Sequence, residues 1–164
     1  MAASSAITIR KATLHDMEAV LECLHSAFAP YEHHYTRVAF EDTTLTRDSF
    51  PLRLKEMAVF VALDDSGRVV GTIACNLIAE GEGHLRGMAV VPECQASGIA
   101  NQLLVCAESE LMDRNCSHIT LDTTEPLERA MHFYERHGYR RSGKIGDFFG
   151  MPLIEYVKQL DSRT

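Results

Sequence analysis

Val90-Val-Pro-Glu-Cys-Gln-Ala-Ser-Gly-Ile-Ala-Asn-Gln-Leu-Leu104 compresses three patterns into one segment. An apolar strand end stops at Pro92. A turn of small residues follows, and it opens directly onto an amphipathic helix with Leu103, Leu104, Ala107 and Leu111 on one face. The first N–H groups of such a helix lack intrahelical partners and carry the positive end of the macrodipole. A turn without bulky side chains lets an anion approach them closely, which makes the segment a phosphate cradle. Gly98 and Ala100 are where a side chain would obstruct most. The chain has no G-x-x-x-x-G-K-[ST] and no G-x-G-x-x-G, so neither a nucleoside-triphosphate P-loop nor a dinucleotide fingerprint is present. The plainer alternative is an ordinary strand-to-helix turn that uses small residues for close packing.

The flanking sequence alternates strands and helices. Upstream, Ile7–Arg10 alternates as a short strand, and Thr13 with Asp16 starts a helix whose stripe is Met17, Val20, Leu21, Leu24 and Phe28. The segment 29–48 is irregular, and a second, shorter helix is expected before Met57, started by Ser49. Ala58–Leu63 and Val69–Cys75, joined by Asp64-Asp-Ser-Gly-Arg68, read as a β-hairpin with Gly67 in the turn. His84–Val91 is a third strand of this block. Downstream, Arg114-Asn115 supplies a helix C-terminus, and His118–Asp122 is a strand. Pro126 opens a helix that runs through Phe133 and Tyr134 to a stop at Gly138. Strands around Tyr139 and over Leu153–Leu160 close the chain. The order β-α-α-β-β-β-α-β-α-β-β is α/β, with helices feeding a central sheet.

The chain has 164 residues, of which 46% are hydrophobic and 24% charged, the composition of one globular domain. We expect a single domain over 1–164 with its core at about 7–160. Intrinsic disorder is excluded, and no apolar run approaches the roughly 20 residues of a membrane helix. Met1-Ala-Ala-Ser-Ser-Ala6 lacks the basic head and apolar run of a signal peptide and reads as a loose lead-in. The net charge of −7 disfavours nucleic acid as a partner. The five cysteines are odd in number and form no C-x-x-C, which argues against a disulfide framework and a zinc site and for reduced thiols in the cytoplasm. His33-His34 invites a metal reading, but adjacent side chains diverge on regular elements, so no metal is expected.

Gln95-Ala-Ser-Gly-Ile-Ala100 resembles the Q/R-x-x-G-x-G/A loop of the GNAT N-acetyltransferases. Leu85–Pro92 resembles that family's fourth strand, and Gln102–Met112 the helix after its loop. Ile119–Thr123 and Ala130-Met-His-Phe-Tyr-Glu-Arg-His-Gly-Tyr139 resemble its A-x-x-x-Y-E-x-x-G-F/Y block. The ordered set covers nearly the whole chain. It implies a mixed, mostly antiparallel twisted sheet flanked by helices and splayed between the fourth and fifth strands.

The resemblance also implies acetyl-coenzyme A as co-substrate and a primary amine as acceptor, with direct transfer. Its pyrophosphate falls to Gln95, Ala96, Ser97, Gly98, Ile99, Ala100 and Asn101; its pantetheine and acetyl group fall to Met88, Ala89 and Val90. A backbone amide near Val90 would serve the oxyanion. Tyr134 stands where the family keeps the acid for the departing thiolate. Tyr134 also fits a packing stripe with Leu127 and Ala130. Glu82 and His84 are candidates for the base, and Asp122 could act through water. The family builds its acceptor wall from the first helices, which implicates Phe28, Tyr31 and Tyr35, with Phe149 on the opposite wall. Arg86 stands where some relatives carry a catalytic glutamate, and Leu127 where many carry an asparagine. These two departures keep open a second reading, a non-catalytic acyl-coenzyme-A sensor or docking module. A third is an α/β domain for another phosphorylated ligand. No membrane partner is expected, and a homodimer stays open.

Overall fold

The computed structural model describes residues 6–160, so the expected lead-in lies, apart from Ala6, outside the described residues. Seven strands form one sheet: β1 (Thr8–Lys11), β2 (Ala58–Leu63), β3 (Val69–Ala79), β4 (Glu82–Val90), β5 (His118–Thr123), β6 (Arg140–Phe148) and β7 (Met151–Gln159). Their spatial order is β1-β2-β3-β4-β5-β7-β6. Every neighbouring pair is antiparallel except β4–β5. The helices are α1 (Met17–Phe28), α2 (Arg37–Thr44), α3 (Ser49–Glu56), α4 (Ile99–Asp113) and α5 (Glu128–Arg136).

Apolar patterning explains the layering. Residues 69–75 of β3 are buried without alternation, as expected of a strand covered on both faces. Helix α1 turns Val20, Cys23, Leu24, Ala27 and Phe28 inward, and α4 turns Ile99, Leu103, Leu104, Ala107 and Leu111 inward. The approach of α4 is close: a Cβ on Gly71 would meet Leu103 Cδ1 at 2.9 Å, and one on Gly83 would meet Leu111 Cδ1 at 2.8 Å.

Local signals set the boundaries. Thr13 forms the complete capping box expected with Asp16, whose carboxylate accepts from Thr13 N at 2.8 Å and from Arg10 at 2.8 and 2.9 Å. That box caps a short 3₁₀ turn, Leu14–Asp16, which leads into α1. Asn115 takes the left-handed φ of 65° after α4. Ser49 does begin α3. The irregular segment before it holds more order than the sequence pattern suggests. Ala29–His34 is a 3₁₀ helix, and α2 follows, capped by the Thr36 hydroxyl, which accepts from Ala39 N at 3.3 Å. Strand β6 runs on from Arg140 to Phe148, well past the expected stretch around Tyr139.

Two irregularities in β4 shape the centre of the molecule. Thr72 pairs with Ala89 but Ala74 with Arg86, so β4 carries an extra residue, a β-bulge, at Gly87–Met88. Gly87 takes a φ of 64° there. On its other side β4 pairs with β5 over Glu82–Leu85 and His118–Leu121 and then parts from it, giving the splay that the family resemblance implied.

Candidate active site

The parting of β4 and β5 opens a cavity of about 710 Å³. Met88, Ala89 and Val90 form one wall, and Leu121, Asp122, Thr123 and Thr124 the other. The side-chain oxygens of Thr123 and Thr124 are buried and lack hydrogen-bond partners, so this wall offers two unsatisfied hydroxyls to whatever enters the gap.

At one end of the cavity lies the turn before α4. Gln95 staples it to β4 by donating to Val90 O at 3.1 Å, while its Oε1 accepts from Arg129 at 3.1 Å. The Ser97 hydroxyl donates to Cys94 O. Ala96 and Gly98 both have left-handed backbone, with φ of 64° and 88°. Gly98 caps α4 with no side chain, so the first amides of the helix point out unoccupied by any cap. A Cβ at Gly98 would meet nothing within 4 Å; the glycine is required by its backbone conformation, and the space above it is open. Helix α5 adds Arg129 and Arg136 to the lining, and His137 Nε2 lies 2.9 Å from Asn101 Oδ1. Amides, dipole and two guanidinium groups together suit a polyanion.

Tyr134 lies on the α5 wall, buried, with no hydrogen bond to its hydroxyl among the described residues. Burial pushes its phenol well above the usual range, so it stays protonated at neutral pH.

On the β4–β5 side, His84 Nδ1 is 2.9 Å from Thr120 Oγ1, and its Nε2 is 3.7 Å from Asp122. The Thr120 hydroxyl donates onward to Gly83 O at 3.4 Å, so it accepts from Nδ1–H and leaves the Nε2 lone pair free. Desolvation lowers the His84 pKa below its ordinary 6.5, and Asp122 opposes the shift. Desolvation raises the Asp122 carboxyl in turn.

A third wall is aromatic. Phe28 and Tyr35 meet edge to face at 6.4 Å, and Tyr35 meets Phe40 at 6.0 Å. Tyr31 joins them in the lining, and burial pushes the Tyr35 phenol up to about 12. The β6–β7 turn closes over this wall, because the Thr36 hydroxyl donates to Phe149 O at 2.8 Å.

Four of the sequence-expected residues do not reach the cavity with their side chains. Glu82 is paired with His118 at 3.1 Å. Ile99 is buried in the core under α4, and the Ser97 hydroxyl is turned back on the loop. Phe149 is exposed, and its neighbour Phe148 lines the cavity instead. The structure adds Asp42, Arg53, Thr124 and Arg136, which no motif marks. The rings of His33 and His34 lie close, with centroids 4.0 Å apart and planes tilted by 42°, whereas divergence of adjacent side chains was expected. Among the described residues no group of three or more His, Cys, Asp or Glu side chains is placed to hold a metal. All five cysteines are free thiols.

The model of the acetyltransferase (GNAT) family matches residues 17–139, and the chain belongs to that family of acyltransferases acting on amines. It is 33% identical over 104 residues to N-alpha-acetyltransferase 30 of Schizosaccharomyces pombe, a match covering 60% of this chain and 69% of that one. Among solved structures, a GNAT acetyltransferase from Staphylococcus aureus aligns with a TM-score of 0.77 at 21% identity, covering 95% of this chain and all of its own. The PaiA N-acetyltransferase of Thermoplasma acidophilum, solved in complex with coenzyme A, aligns with a TM-score of 0.75 at 19% identity, covering 94% and 99%. Both likenesses are of fold. No helix among the described residues is long and apolar enough to cross a membrane.

Proposed function

We propose that this chain is an acetyl-coenzyme-A-dependent N-acetyltransferase that passes the acetyl group directly to a primary amine. The observation that carries the reading is that one cavity is lined by an anion-suited loop, a buried protonated phenol and a neutral imidazole. The residues present fit the co-substrate: open amides at the α4 N-terminus, Arg129 and Arg136 beside them, and two orphaned hydroxyls along the gap. Acetyl-coenzyme A supplies, when bound, an activated thioester.

In this reading the loop 95–101 binds the pyrophosphate through its backbone, and the edge of β4 at Met88–Val90 holds the pantetheine arm. Thr123 and Thr124 offer hydroxyls where Leu127 offers none. His84 Nε2 takes the proton from the incoming amine, and Asp122 steadies the imidazolium that results. A backbone amide near Val90 donates to the carbonyl oxygen as charge develops on it. Tyr134 donates its proton to the departing sulfur, whose free thiol has a pKa near ~8.5. Glu82 is left out of the chemistry because His118 already engages it. Five unpaired thiols fit a reducing, cytoplasmic setting.

The test pairs a thermal shift with a thiol-release assay. Acetyl-coenzyme A at a hundredfold excess over its Kd should raise Tm by about 5–10 °C, whereas ATP should not. Thiol release should depend on an added amine. A coenzyme-specific shift with no release to any amine would favour the non-catalytic binding module. A folded protein with no shift at millimolar coenzyme would overturn the reading altogether.

A further inference from the structure

Arg53 is the most unusual charge in the molecule. It lies on α3, is 8% exposed, and lines the cavity. Among the described residues no hydrogen bond or ion pair reaches its guanidinium. Buried charges are normally paired, because water's solvation of the charge is lost without replacement. Desolvation accordingly lowers its pKa to about 10, which still leaves it fully charged at neutral pH.

The surroundings make room for this cation without neutralising it. A Cβ on Gly87 would lie 2.7 Å from Arg53 Nη1, so the guanidinium occupies the space left by the missing side chain at the β4 bulge. The charges acting on Arg53 are Arg86, Asp42 and Glu56. Asp42 is already engaged by Arg86 at 2.5 Å, and Glu56 is exposed and forms no ion pair with Arg53. Two cations therefore face one committed carboxylate, and this part of the cavity keeps a positive excess.

The charges acting on His84 are Asp122, Arg86, Glu155 and Glu82, a predominantly acidic set. Arg86 acts on both His84 and Arg53, so the anionic and cationic poles adjoin within one site. A monocationic or polycationic amine would leave Arg53 unanswered. A small molecule bearing an amine and a carboxylate would answer both poles.

We propose that the acceptor is a small amino-carboxylic acid whose carboxylate is held by Arg53 while its amine is presented to His84 and Asp122. This rests on the acetyltransferase reading above. Arg suits the task because its planar fork binds a carboxylate through two parallel hydrogen bonds.

The test uses matched acceptors: common α-amino acids, their α-carboxamides, and the corresponding decarboxylated amines. Each is assayed for thiol release with acetyl-coenzyme A, and for binding to the coenzyme-A-saturated protein by thermal shift and calorimetry. At least one free acid should exceed its amide in kcat/KM by roughly 30-fold or more, the range seen when one partner of a buried charge pair is removed. Arg53→Met should abolish that preference, and Arg53→Lys should restore part of it. A retained coenzyme-A shift shows that each variant is folded. Carboxylate-dependent, Arg53-dependent binding without turnover would support Arg53 as the carboxylate-binding group while overturning the acceptor role and the acetyltransferase reading on which it rests. Amides or simple amines that bind and react as well as the acids overturn the acceptor assignment, as does a protein that neither binds nor acetylates any free acid.

Discussion

Tyr134 combines features that usually exclude each other: it is a packing residue in the stripe of α5, it lines the cavity, and its hydroxyl has no hydrogen-bond partner among the described residues. Removing the oxygen should therefore cost little stability and much activity. Tyr134→Phe is expected to lower kcat by roughly 100-fold or more, with coenzyme affinity and Tm nearly unchanged. Unaltered turnover would remove Tyr134 from the chemistry. For His84 the sign of the pH effect follows from its burial. In the proposed reaction the neutral form is the base, and desolvation holds its pKa below 6.5. The kcat/KM should be flat above that value and fall as pH drops through a lower one. Asp122 is the first among the carboxylates, with Glu155 and Glu82, that pull this pKa up, so Asp122→Asn should move the acidic limb to still lower pH. A limb that ignores Asp122 would point to another base. At this scale the sequence was partly legible. Tyr134 sat inside a recognisable block and His84 just ahead of one, whereas Arg53 sat in a short helix with no motif. Its proposed role depends on a missing side chain at Gly87 and a committed carboxylate at Asp42, neither of them next to it in the sequence.

The elements divide in the same way. The loop before α4 could be read because its demands are local: small residues, then a helix with one apolar face. Gly98 allows those demands to be separated. With a φ of 88°, any other residue strains the backbone by about 1–2 kcal/mol, yet a Cβ there meets nothing. Gly98→Ala should lower stability by about that amount in urea unfolding and retain most of the coenzyme thermal shift. Gly98→Glu, which adds bulk and negative charge where a pyrophosphate would lie, should lose the shift. Equal behaviour of the two variants would mean the loop binds no anion. Helix α2 was not legible. Arg37–Thr44 offers few apolar residues and ends in two β-branched threonines, so its propensity is weak. The fold supplies what propensity does not, burying Ala39 and Phe40 and capping the helix with Thr36. Strand β6 was cut short for a related reason. Most of it is exposed and its pairing is interrupted between Arg141 and Ile145, so no alternation marks it.

For the molecule as a whole, a net charge of −7 gave a poor guide to the site. The cavity gathers Arg53, Arg86, Arg129 and Arg136, a local sign opposite to the total. Bulk charge reports on solubility and long-range steering; a pocket's polarity is set by which side chains the topology brings together. The fold class, by contrast, followed from the order of blocks along the chain.

The parting of β4 and β5 also bears on how the molecule breathes. Four registered pairs stitch β1–β4 to β5–β7 within the sheet, against six or seven in the β2–β3, β3–β4, β5–β7 and β6–β7 seams. A protein joined so narrowly should open in two cooperative units rather than one. Native-state hydrogen exchange should find the amides of β5, β6 and β7 opening together, at lower free energy than those of β2, β3 and β4. A molecule lying along the gap would act as a hinge pin, slowing exchange across the second panel well beyond the residues it touches. Uniform exchange in both panels, with or without coenzyme A, would show that the helices alone make the sheet a single unit.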